Sequence, residues 1–403
     1  MTEAHHQTPA LFRNPSTLTS LHQLEAVQAI AGESVRSNAR RVIKSWSGYR
    51  PTPLHRLSAL ATELGVGEIW CKDESGRFGL GSFKALGGAF ALFCLLRDYV
   101  VERTGAEPPT VEDLESRKYS GVTRGFTVAC ATAGNHGRSV AWGAQRFGCR
   151  CVIFVSENVS HFRREAIAQY GAEVIEVQGS YDDSVREAAR RSAEGGWTVI
   201  SDTSYPGYTR IPKLVMQGYT AMVEEAFAQL PPSHTPTHIF AQAGVGGMAA
   251  TILATAAARF GPDRPTFITV EPTKAACLYS SAIEGRPFTV RGALDTIMGA
   301  LACGEVSLLA WDILHAGSDW FMVIDDADAL RAMKKLAMPS GKDPVIISGE
   351  SGGAGLAAVL CALRNERWRM QLGLNSVSRI LLFGSEGATD PDLYAKIIGS
   401  PDV

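Results

Sequence analysis

One lysine among the 403 residues stands in a setting unlike that of a solvated surface charge. Lys84 follows Gly79-Leu80-Gly81-Ser82-Phe83 and precedes Ala85-Leu86-Gly87-Gly88. Small and apolar neighbours thus surround a side chain that is rarely buried. Desolvation there favours the neutral amine, a nucleophile suited to imine formation. Two further segments supply what such an amine lacks. Thr132-Ala133-Gly134-Asn135-His136-Gly137 sets a hydroxyl, an amide and bare N–H groups at the mouth of a helix, where they can hold a carboxylate or a ring oxygen. Ala243-Gly244-Val245-Gly246-Gly247-Met248 puts glycine N–H groups between an apolar strand and an alanine-rich helix, where they can converge on a phosphate. An amine, a clamp for an aromatic ring and a phosphate cradle together meet the needs of pyridoxal 5'-phosphate held as a Schiff base.

Taken singly, each signal has a plainer reading. Thr132 and Asn135 serve equally as helix caps, the glycine loop as a tight turn, and a lone lysine as a surface charge. Their combination favours the cofactor. Ser385, in Phe383-Gly384-Ser385-Glu386-Gly387, follows a late apolar run and is a candidate partner for the pyridine nitrogen. A hydroxyl there would leave the nitrogen neutral and the ring a weaker electron sink, which suits a β-elimination that expels its leaving group at once. As a plain loop serine it needs no such role.

These residues need rigid elements behind them. Apolar runs of strand length occur at 68–72, 127–131, 151–155, 173–177, 198–200, 238–241, 266–270 and 379–383, alternating with helical patterns such as 137–147, 160–170, 182–194 and 213–230. That alternation predicts an α/β chain of parallel-rich sheets covered by helices. Three strands run directly into small-residue loops, at 131–137, 243–248 and 384–389, the place where open α/β sheets bind ligands. The expected organisation is a large pyridoxal-phosphate-binding domain from 1–90 and 225–403, with a smaller domain, 91–224, inserted and closing over the substrate. The polar stretch Arg103 to Arg124 reads as a surface excursion.

Composition narrows the partners. The formal net charge is −2, with no long run of either sign. This gives no electrostatic case for nucleic acid or a membrane surface, and a small neutral or zwitterionic ligand fits better. No run of about 18 apolar residues occurs. The polar start, Met1 to Ser20, lacks the features of a secretory signal, so cytoplasmic residence is expected. The eight cysteines form no CxxC and no cluster with histidine, and no metal is expected.

Arg50-Pro51-Thr52-Pro53-Leu54, Ser82-Phe83-Lys84, Ala133-Gly134-Asn135-His136 and the glycine loop occur in an order that resembles the fold-type II (tryptophan synthase β-like) pyridoxal phosphate enzymes. More specifically the chain, from about Gly48 to Asp390, resembles diaminopropionate ammonia-lyases. The matching segments include Tyr181-Asp182-Asp183, Asp202-Thr203, Met216-Gln217-Gly218-Tyr219, Gln242-Ala243-Gly244-Val245-Gly246, Leu301-Ala302-Cys303-Gly304-Glu305 and Ile347-Ser348-Gly349-Glu350-Ser351-Gly352.

The resemblance implies that Lys84, beside Phe83, forms the Schiff base and removes the α-proton of an L-amino acid. It implies contacts of Asn135 with the ring oxygen, of Gly244, Val245, Gly246, Gly247 and Met248 with the phosphate, and of Ser385 with the ring nitrogen. Ser82, Thr132, Ala133, Gly134 and His136 fall to the substrate. Asp202 matches a catalytic aspartate, although a turn or cap reads nearly as well from sequence. Cys277 and Cys303 match a pair that lies close together in some relatives, and a homodimer is implied.

One position departs: where the family carries Asp immediately before Gly-Asn-His, this chain has Ala133, as serine and threonine dehydratases do. That aspartate is taken as the base for the D-enantiomer, and alanine transfers no proton. The expected reaction is elimination from a β-substituted L-amino acid, first L-2,3-diaminopropionate giving pyruvate and ammonia, with D-isomer activity lost. A hydroxyl or bulkier β-leaving group is the alternative. A non-catalytic cofactor-binding protein would not need Lys84. A nucleotide-binding Rossmann protein would need GxGxxG after a first strand and an acidic residue about 20 positions on.

Overall fold

A computed structural model describes residues 8–132, 134–157, 159, 161–179 and 181–399. Ala133, assigned to the substrate from sequence, lies outside them. Among the described residues the strands are β1 (Ala10–Arg13), β2 (Leu54–Arg56), β3 (Glu68–Asp73), β4 (Thr127–Cys130), β5 (Arg150–Ser156), β6 (Glu173–Val177), β7 (Thr198–Val199), β8 (His238–Gln242), β9 (Thr266–Pro272), β10 (Trp320–Ile324) and β11 (Arg379–Gly384). One sheet has the order β1-β10-β9-β8-β11-β3-β2, parallel within and closed at each edge by an antiparallel strand. The other, β6-β5-β4-β7, is parallel throughout. The alternation expected from sequence is thus an α/β fold with parallel-rich sheets.

The chain forms two compact units. One comprises the chain up to Val35, Pro51–Ser82 and everything from Met222 onward; the other comprises Arg36–Arg50 and Phe83–Ala221. In the first unit every residue of β8 is buried. Phe240, Ile268, Met322 and Leu382 belong to one apolar core under the helix Ala354–Arg364. Central parallel strands are covered on both faces and so are mostly apolar in their middle residues, which is why they stand out in the sequence. No helix among the described residues is long and apolar enough to cross a membrane.

The second unit is centred on the helix Ala85–Thr104, whose first three turns are almost entirely buried. Its glycines are there for contact rather than flexibility. A Cβ on Gly87 would stand 2.4 Å from Tyr219 Cε1 and 2.7 Å from Val215 Cγ1, and one on Gly88 would stand 2.4 Å from Ser139 Oγ. The segment 36–50 joins this unit through Trp46, whose ring packs edge-on against Trp142 at 5.8 Å and Phe147 at 5.9 Å. Arg146 donates to the carbonyl of Ser47 at 2.7 Å and closes the contact.

In the first unit four charges are buried together, three of them just ahead of Lys84 in the chain. Lys72 Nζ donates to the carbonyl of Thr52 at 2.7 Å, to Glu225 Oε2 at 2.9 Å and to Gln229 Oε1 at 2.8 Å. Arg77 grips both oxygens of Glu74 at 2.8 Å, and both of Glu225 at 3.0 and 2.6 Å. The group is neutral as a whole and every charge has partners, the condition under which buried ions persist. Burial alone would raise the Glu225 carboxyl, but the hydrogen bonds and charge of Arg77, then Lys72, outweigh it and hold the group below 4.5. A depressed folded-state value stabilises the fold above the unfolded value and is lost as pH falls through the folded one. Replacing Glu225 by Gln should therefore cost about 3 to 5 kcal/mol by stranding the two cations. In thermal melts from about pH 7 down to 3 the variant's midpoint should fall less steeply below 4.5 than that of the wild type. Parallel slopes would show that Glu225 is not the titrating group.

Candidate functional site

Lys84 lies immediately ahead of the helix Ala85–Thr104 and already has helical dihedrals. Its carbonyl accepts from the N–H groups of Gly87 and Gly88, each at 3.1 Å, and from Ser139 Oγ at 2.8 Å, which fixes the backbone from which the side chain leaves. The amine lies 5.3 Å from the ring centre of Phe83 and 6.0 Å from that of Tyr219, two rings tilted against each other 4.6 Å apart. The apolar setting expected from sequence is present, and a carboxylate stands inside it. Nζ is 2.6 Å from Asp202 Oδ2, with both side chains about one-fifth exposed. The pair favours the ammonium, the opposite of what the apolar neighbours alone would do.

Burial would raise the Asp202 carboxyl, but the charge of Lys84 and the hydrogen bond from it hold it far below the usual range. His136 is buried in the first turn of the helix Asn135–Phe147. Its Nε2 lies 3.0 Å from the carbonyl of Ile200. A carbonyl only accepts, so Nε2 carries the hydrogen and Nδ1 is left facing Asp202 at 3.9 Å. Burial keeps this ring below its ordinary value and hence neutral at pH 7.

Within the adjoining loop, Gly134 donates its N–H to Thr132 Oγ1 at 3.2 Å, and Asn135 begins the helix half-buried. Gly137 is required where it stands, since a Cβ would come within 2.1 Å of the Thr132 carbonyl. Lys84, Phe83, Thr132, Gly134, Asn135, His136 and Asp202 are thus all residues of one unit.

The glycine loop, Ser82 and Ser385 belong to the other unit. β8 passes through Ala243 into the helix Gly247–Phe260, with Gly246 at φ +101°, a conformation that suits glycine. Val245 uses its carbonyl to accept from Ser307 at 2.9 Å. The first turn of that helix carries no acidic side chain, and its leading N–H groups have no partner within the helix, so an anion is favoured there. Gly244 is hemmed in: a Cβ would stand 2.9 Å from Cys303 Sγ and 3.0 Å from the carbonyl of Ala300. Cys277 Sγ lies 3.6 Å from the Gly244 carbonyl, and both cysteines are free thiols. Ser82 is buried and bridges through its backbone to Glu386.

Ser385 is buried one residue beyond β11, and Gln242 Nε2 lies 3.1 Å from its hydroxyl oxygen. Gln242 and Tyr219 were not picked out as site residues from sequence. Gln242, a polar residue ending an apolar strand just ahead of the glycine loop, was the visible signal. Among the described residues no group of three or more His, Cys, Asp or Glu could hold a metal ion. An amine on a fixed backbone, a side-chain-free helix start for a phosphate and a buried hydroxyl are donors of the kind pyridoxal phosphate requires.

Comparison with known proteins agrees. The family described as "Pyridoxal-phosphate dependent enzyme" matches residues 46–373. The chain is 40% identical over 365 residues to diaminopropionate ammonia-lyase of Escherichia coli K12, covering 89% of this chain and 90% of that one. It is 37% identical over 363 residues to the Salmonella typhimurium enzyme, covering 88% and 89%. The crystal structure of holo diaminopropionate ammonia lyase from Escherichia coli superposes with a TM-score of 0.88 at 35% identity over 97% of each chain. The chain therefore belongs to the diaminopropionate ammonia-lyase family, pyridoxal-phosphate-dependent carbon–nitrogen lyases of fold type II.

Proposed function

We propose that this enzyme acts on L-2,3-diaminopropionate, consuming water and giving pyruvate and two molecules of ammonia. The observation that carries the residue roles is the 2.6 Å pair of Lys84 and Asp202. Pyridoxal phosphate, when bound, supplies an aldehyde for an amine to join and an electron sink that acidifies the α-carbon. Lys84 would hold it, and its Nζ would take the α-proton of the substrate. Asp202 stabilises the ammonium so formed and keeps Nζ in place. The N–H groups of the glycine loop hold the phosphate, Asn135 the ring oxygen and Ser385 the ring nitrogen. The 132–136 loop receives the substrate carboxylate with main-chain N–H groups, while His136, its Nε2 already committed to Ile200, orders the loop from beneath.

The methyl of Ala133 bears no transferable proton, so the D-enantiomer lacks the base that the family's aspartate would supply at that position. That loop also reads like the loop of serine and threonine dehydratases, which favours a hydroxyl as the second candidate leaving group. Cytoplasmic residence as a homodimer completes the reading.

Lys84→Ala should abolish the visible absorption of the protein-bound cofactor and lower kcat by at least about 10³-fold. Asp202→Asn should keep the cofactor band and lower kcat by about 10²-fold with a smaller change in KM. A normal kcat in the Asp202→Asn variant would remove Asp202 from the chemistry. When both enantiomers of 2,3-diaminopropionate and L-serine are assayed for 2-oxo acid, the D-isomer rate should be below about one-hundredth of the L rate. Ala133→Asp should raise it. Comparable D and L rates in the wild type would overturn the enantiomer reading, and a faster rate on L-serine would overturn the substrate.

A further inference from the structure

Gln242 is the last residue of β8, beside β11 in the sheet, and is 1% exposed. Its Nε2 lies 2.7 Å from the carbonyl oxygen of Phe383, 3.2 Å from that of Gly352 and 3.1 Å from Ser385 Oγ. Two of these three neighbours are carbonyls, which only accept. The amide must therefore present its NH2 to them, because the flipped amide would set Oε1 against two carbonyl lone-pair sets. An NH2 group has two hydrogens. One serves Phe383 at the shortest distance, and the other is shared between Gly352 and Ser385. Ser385 Oγ is then an acceptor toward Gln242, and its own hydrogen must go to a third atom.

Fold stability alone does not explain this arrangement. Gln242 Oε1 is buried without a hydrogen-bond partner among the described residues, a state that costs free energy.

We propose that Gln242 is a positioning residue that occupies one acceptor site of Ser385 and so biases its hydroxyl toward donating to an unprotonated cofactor ring nitrogen. This rests on the reading of Ser385 as the ring-nitrogen partner. A pyridinium has a hydrogen of its own to donate, and Ser385 can accept it only by turning the hydroxyl hydrogen away while still accepting from Gln242. The amide thereby biases the ring toward the neutral, weaker electron sink that favours prompt loss of a β-substituent over longer-lived carbanion chemistry. Reaction type is in this way set partly by a residue that does not touch the cofactor.

The test uses the full chain, with pyridoxal phosphate titrated into the apoprotein and followed by absorbance. Ser385→Ala should weaken cofactor binding by about 2- to 10-fold, the range of one hydrogen bond. Gln242→Met, which keeps the length but deletes the donor, should weaken it to a similar extent, and the double variant should be no worse than Ser385→Ala. Unchanged affinity in Ser385→Ala would sink the reading of Ser385 on which the proposal depends. A loss in Ser385→Ala with none in Gln242→Met, or losses that multiply in the double variant, would sink the role of Gln242 alone. Because Gln242→Met could also fail to fold, the wild-type holoenzyme is read directly with 15N-labelled cofactor. A free-base nitrogen shift is expected, and a pyridinium shift overturns the proposal whatever the variants do.

Discussion

The backbone at Lys84 is fixed by three donors converging on one carbonyl: two from its own helix and one from Ser139. Ser139 reaches that carbonyl because Gly88 leaves room for its hydroxyl, and the helix lies against Tyr219 and Val215 because Gly87 has no side chain. The pair Gly87-Gly88 therefore does more for the amine than supply an apolar setting. It lets three elements meet one turn from the reactive residue, so the side chain leaves from a point that has little freedom to move. Helix interiors pay entropy for glycine; here two adjacent glycines are retained because close approach is worth more.

Charges removed from water appear twice near this segment, and they are handled differently. Lys72, Glu74, Arg77 and Glu225 are nearly sealed, doubly bonded and neutral in sum. Nothing there is left to react, and the cluster anchors the chain that leads to Lys84. The Lys84 and Asp202 pair, joined at 2.6 Å, keeps about one-fifth of its side-chain surface exposed. A partly exposed pair is open to exchange when another partner arrives, whereas the sealed four-charge cluster can only be broken. The same residue types thus stand in two settings that differ in how far they are sealed from water.

Legibility followed locality. β8, β9 and β11 were visible in the sequence because both of their faces are buried and each carries a run of large apolar residues. β1 and β2 were not: with four and three residues, at the sheet edges and half exposed, they carry too little pattern to read. β10 is apolar, but it follows the equally apolar helix Leu308–Gly317, and periodicity does not separate two such runs. The adherence of 36–50 to the second unit depends on Trp46 meeting Trp142 and Phe147 about a hundred positions away, which leaves no local trace. Within the site, Lys84, Ser385 and the glycine loop were legible because their neighbours in sequence define them. Asp202 was balanced between a turn and a catalytic role because its partner is 118 positions distant. Gln242 passed unremarked as a site residue because the oxygens that fix its amide come from 110 to 143 positions further on.

The helix start at Gly246 and Gly247 offers an anion main chain alone, with no acidic residue in its first turn. Peptide N–H groups are encoded by no codon, so substitution cannot delete or retune them one at a time, as it can a lysine or arginine. Such a cradle is lost only by moving the backbone, through the glycines or through the side chains packed behind them. Over evolutionary time the anion's recognition is thereby shielded from drift, while the polar residues around the reacting carbon remain free to change one by one. A single lineage can in this way explore new substrates without first having to reinvent its hold on the cofactor.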